Sequence, residues 1–123
     1  MNTVLWVAQI VVGLAFIMAG TMKAFRAEQA TQRGMKWVGE VPRGLVAFIG
    51  ISELLGGLGL ILPAATGVLS WLTPLAGACL AVVMLLAAAF HASRKEYNGI
   101  PINLVLLILS AFVAYGRFIV IPL

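Results

Sequence analysis

Apolar runs of membrane length alternate along this chain with shorter polar segments. Four runs stand out: Thr3–Met22, Gly44–Leu62, Thr73–Phe90 and Pro101–Ile121. Each holds about 18–21 residues, close to the ~20 that a helix needs to cross ~30 Å of hydrocarbon. Helix punctuation marks their ends. Pro63 follows the second run, Thr73-Pro74 reads as an N-cap with a first-turn proline, Pro101 opens the fourth run and Pro122 closes it. No Lys or Arg precedes the first run and no cleavage site ends it, so Thr3–Met22 reads as a retained helix rather than a signal peptide. The expected fold is an all-α membrane protein, a bundle of four transmembrane helices in one domain spanning residues 1–123.

Charge then orients the bundle. Lys23, Arg26, Arg33, Lys36 and Arg43 lie in or beside the first connection, and Arg94 and Lys95 in the third. The second connection carries no charge. Seven of the eight Lys and Arg residues thus fall on one side. The positive-inside rule makes that side cytoplasmic and puts both termini on the other. Arg117 alone lies toward the outer side, where it reads as a snorkelling interfacial anchor. Trp6, Trp71 and Tyr115 near the outer edge, and Trp37 and Tyr97 near the inner, suit aromatic belts. The first connection mixes Phe25, Met35, Trp37 and Val38 with its charges, which fits either a short interfacial helix or a flexible polar loop.

Composition agrees with a membrane setting: 63% of the chain is apolar, more than a soluble domain of 123 residues can bury. The net charge of +4 marks topology and does not point to nucleic acid. The lone Cys79 excludes an internal disulfide or a CxxC relay and reads as a small packing residue. One His and scattered Glu residues make no metal ligand set.

Small residues indicate which faces meet, because they let helix backbones approach. Gly13 and Gly20 lie seven apart in the first run, and Gly50, Glu53 and Gly56 or Gly57 share a stripe in the second. Gly77, Ala81, Met84, Ala88 and His91 form a stripe in the third.

Glu53 is the only charge within Gly44–Leu62. Nine residues past Gly44, it sits ~13–14 Å deep, near the bilayer midplane. A charge there costs of order 2.5–3.5 kcal/mol to insert, so it marks a functional site by default. Lys23, His91, Arg94 and Asn103 lie at the inner ends of the other runs. Together with Glu53 they can line a pocket with a polar foot and apolar walls, suited to an amphipathic ligand with one polar head, such as a quinone or a lipid. His91 is the group able to relay a proton near neutral pH. Two other readings stay open: a small proton-coupled transporter using Glu53, and a structural subunit of a membrane complex. Whether any reaction is catalysed is left open.

Gly13-LAFIMAGTMKAF, Val41-PRGLVAFIGISELLGGLGLILP and His91-ASRKE resemble the DoxX-like family of small four-helix membrane proteins. The resemblance covers nearly the whole chain and rests on Gly20 with Lys23, Gly50 with Glu53, and the helix-end histidine with its basic neighbour. It implies a multi-pass protein of the bacterial cytoplasmic (inner) membrane, with a quinone as candidate cofactor. Its implied partners are the bilayer, a small hydrophobic ligand, a second copy or a membrane redox complex. A distant kinship with four-helix sterol-isomerase-like proteins does not carry its activity over, because this chain has no aspartate.

Overall fold

A computed structural model describes residues 2–26, 42–97 and 100–122. Four helices run through them: α1 Asn2–Phe25, α2 Arg43–Thr66, α3 Leu72–Ser93 and α4 Ile100–Tyr115. A π-helical turn, Gly116–Val120, extends α4. Each of the four, counting that extension, is long and apolar enough to cross a membrane. Among the described residues there is no strand. The first connection, including Met35, Trp37 and Val38, falls outside the described residues, and so does the choice between interfacial helix and loop made for it.

The helices alternate in direction and close into a ring. α1 packs most extensively on α2, and α3 on α4; narrower contacts join α2 to α3 and α1 to α4. Ala8, Val12, Phe16, Leu60, Leu80, Met84 and Val113 form the central core. Outward faces stay apolar: Val4, Val7, Val11, Leu14 and Met18 on α1, and Leu85 and Leu86 on α3, are all exposed. An aqueous protein would not present so continuous an apolar surface; a hydrocarbon surround is its natural solvent.

Glycine sets the α1–α2 distance. A Cβ placed on Gly20 would stand 2.5 Å from the Gly50 carbonyl oxygen, and one on Gly57 would stand 2.6 Å from that of Gly13. The two seven-residue glycine pairs therefore interlock across the antiparallel interface, where no larger residue fits. Gly56 and Gly57 divide their work, Gly56 facing Leu80 of α3 and Gly57 facing α1.

Several sequence expectations need correction. The first three helices overrun their apolar runs, and in α2 and α3 polar residues Thr66 and Ser93 extend the last turn, their hydroxyls bonding back to Leu62 O and Phe90 O; the fourth stops at Val120, one residue short of its run. Pro63 does not end α2; it lies inside it, and the terminator is Gly67, at φ 72 with its N–H on Pro63 O. That left-handed cap favours glycine. Thr73 is not an N-cap: α3 starts at Leu72, with Trp71 before it, and the Thr73 hydroxyl is used elsewhere. Cys79 is exposed on the outward face of α3 and packs no interior.

Candidate functional site

The interior holds two polar centres. The first joins α1 to α2. Lys23, in the last turn of α1, donates from Nζ to Glu53 Oε1 at 2.7 Å. Glu53 is 2% exposed and lies between Gly50 and Gly57 along α2. The close glycine approach is what brings a residue at the end of one helix onto a carboxylate midway along the next. Among the described residues none donates to Oε2.

The other expected residues divide into separate groups. His91 Nδ1 lies 3.3 Å from Glu96 Oε1, and Arg94 Nε donates to the same oxygen at 2.9 Å. Arg94 also stacks over Phe90, 5.3 Å from its ring centre, and Phe90 meets His91 edge-on. This group is half-buried at the end of α3. Asn103 is buried in the first turn of α4, and its Nδ2 has no partner among the described residues. No hydrogen bond between described residues links the Lys23–Glu53 pair to Glu96 or to Asn103. The five residues therefore occupy one end and the mid-depth of the bundle as a pair, a helix-end cluster and a lone amide.

The second centre starts from Pro63. A proline lacks the N–H that would serve the carbonyl four residues earlier, and its ring crowds that turn. In α2 the deprived carbonyl is Gly59, and the Thr73 hydroxyl of α3 donates to it at 3.0 Å. The adjacent Leu60 carbonyl accepts from Gln9 Nε2 of α1 at 2.8 Å. A neighbouring helix thus satisfies the carbonyl that Pro63 frees, as apolar surroundings demand, and α1 adds a bond to the next carbonyl.

Gln9 passes the connection on. Its Oε1 accepts from Arg117 Nε at 2.7 Å, and Arg117 Nη1 donates to Asn2 Oδ1 at 2.8 Å and to Ile121 O at 3.3 Å. Trp6 covers the guanidinium, with its ring centre 5.7 Å from Cζ. Arg117 is 2% exposed, which overturns its reading as a snorkelling anchor. The cause is local. Gly116 presses on Leu5 where no Cβ fits, and the π-helical turn that starts there directs the next residue into the α1–α4 seam. In the sequence Arg117 reads as an interfacial anchor and Thr73 as a cap, and the one signal for the network was Pro63 at the end of an apolar run.

A family model described as the DoxX-like family matches residues 7–113. The chain belongs to the DoxX-like family. No curated protein matches the chain, and no solved structure does either.

Proposed function

We propose that this membrane protein holds a small hydrophobic molecule with one polar head, quinone-like or lipid-like, at the Lys23–Glu53 pair. The role is accessory to membrane redox or detoxification chemistry. One observation carries the reading: a carboxylate 2% exposed within the bundle, bound by its lysine through a single oxygen. Oε2 is left to accept a ligand hydroxyl, and a hydrogen bond to an ionised group is worth about 1.5–3 kcal/mol, more than a neutral one. Asn103 Nδ2, a buried donor without a described partner, suits a ligand carbonyl. His91 and Arg94, half-buried at the same end, would attend the entrance.

A second reading is favoured by the glycine contacts around the pair. In it, Lys23–Glu53 is a staple between α1 and α2, and the protein is a structural subunit of a membrane complex.

The test is Glu53→Gln, which keeps shape and removes charge. Native mass spectrometry of the purified protein, with and without an added short-chain quinone, reads binding. The expected result is a drop of about tenfold or more, the equivalent of one charge-assisted hydrogen bond, with helical circular dichroism unchanged. Equal binding by both proteins rejects the reading; loss of complex assembly with no bound molecule selects the staple. Loss of proton-driven efflux from vesicles would instead select the transporter.

A further inference from the structure

The Arg117 guanidinium has hydrogen-bonding capacity that the fold does not use. It offers five N–H donors in a rigid fork. Nε serves Gln9, and Nη1 serves Asn2 and Ile121. Nη2 is buried and has no partner among the described residues. All three acceptors are neutral, and no carboxylate of a described residue pairs with this cation. A buried charge without a counter-charge is costly, and an unfilled donor on it adds to the cost.

Arg117 also lines a half-open cleft of about 250 Å³, together with Ser70, Trp71, Pro74, Phe118 and Pro122. The cleft lies where the α2–α3 turn meets the π-helical extension of α4, at the opposite end of the bundle from Lys23. Ser70 and Trp71 are lining residues with hydrogen-bonding side chains; the two prolines and Phe118 are apolar. Trp71 and Phe118 are exposed at its rim. The volume admits a head group and excludes a whole lipid.

We propose that this cleft binds a phosphate oxyanion, the head of a phospholipid or free phosphate, with Arg117 Nη2 as its charged donor. A guanidinium matches phosphate geometry and charge better than an ammonium does. The oxyanion would fill the unused donor and neutralise the buried cation. The cleft lies at the level of the helix ends, where head groups sit. This site is separate from the Lys23–Glu53 pair, and it stands or falls independently of the function proposed there.

Native mass spectrometry of the full chain in detergent tests it, comparing phosphatidic acid with diacylglycerol of the same acyl chains. These probes differ only in the phosphate. The expected preference for phosphatidic acid is about tenfold, the worth of one charge-assisted hydrogen bond. Arg117→Gln should abolish the preference, although Arg117 also joins α1 to α4 and its loss can unfold the protein. Ser70→Glu avoids that difficulty, since it adds a carboxylate to the cleft wall and leaves the Arg117 hydrogen bonds in place; it should remove the preference too. Inorganic phosphate that displaces phosphatidic acid identifies the aqueous anion as an occupant, and failure to displace it identifies the lipid; either supports the site. Equal binding of the two lipids, or a preference that survives Ser70→Glu, overturns it.

Discussion

Lys23→Met should be among the most damaging single changes in this bundle, and its effect should depend on Glu53. The 2.7 Å contact corresponds to about 6 kcal/mol of Coulomb attraction at an effective dielectric of ~20. Most of that offsets the several kcal/mol needed to take each ion out of water, so the net worth of the pair is small. Removing one partner is different, because it leaves the other's desolvation uncompensated, at about 3–5 kcal/mol. The two partners are not equivalent. The Glu53 side chain is 2% exposed, whereas Lys23, at 11%, sits in the last turn of α1 on a flexible stem. Lys23→Met should therefore cost about 3–5 kcal/mol. Glu53→Gln leaves a lysine able to swing outward and should cost about 1–2 kcal/mol. In the double variant no charge remains buried, and its loss should fall below that of Lys23→Met alone. Unfolding free energies from denaturing-detergent titration, followed by tryptophan fluorescence, give the cycle. Additive single losses, or a Lys23→Met variant within 1 kcal/mol of the parent (a factor of about five in the unfolding constant), would refute the argument.

Two other substitutions probe the packing. Gly50→Ala puts a methyl 2.6 Å from the Ala24 backbone nitrogen and should cost about 1–3 kcal/mol as the helices separate. Gly44→Ala meets nothing within 4 Å, so its melting temperature in detergent should match or slightly exceed that of the parent; equal effects at the two positions would contradict the glycine interlock. Thr73→Val strands the Gly59 carbonyl and should cost about 0.6–1.7 kcal/mol, the range measured for hydrogen bonds between membrane helices. In a Pro63→Ala background, where position 63 regains its N–H, the same change should cost much less, and an undiminished loss would show that Thr73 is not compensating for the proline.

The spans and the α1–α2 seam were legible because each depends on local sequence. Hydropathy over about twenty residues places a helix, and glycines seven apart mark a face. Glu53 and Lys23 were also legible, since depth along two antiparallel helices can be counted from their shared turn. Pro63 misled as a boundary because its lost hydrogen bond is replaced by Thr73, ten residues later in the chain and on another helix. Arg117 was hidden for a similar reason. Near a span's end an arginine ordinarily snorkels; here the π-helical turn from Gly116 directs it inward, onto a partner, Gln9, 108 positions away. His91, Arg94 and Asn103 were placed at the correct end, but their grouping depends on side-chain directions that spacing does not determine.

The separation of the two polar centres bears on what the bundle can do. Lys23 and Gln9 anchor them on nearly the same face of α1, fourteen residues or about 21 Å apart along the axis. Between them lie Val12 and Phe16, packed with Leu60, Leu80 and Met84 in the dry core. A proton moving from Glu53 toward Arg117 would meet no polar side chain along that stretch of α1's buried face. A proton path along α1 would therefore require water to enter this face, at the expense of the glycine contacts that hold α1 to α2. Among the described residues Glu53 Oε2 receives no donor and Arg117 Nη2 finds no acceptor, so the two ends of the bundle keep hydrogen-bonding positions of opposite polarity with an apolar core between them.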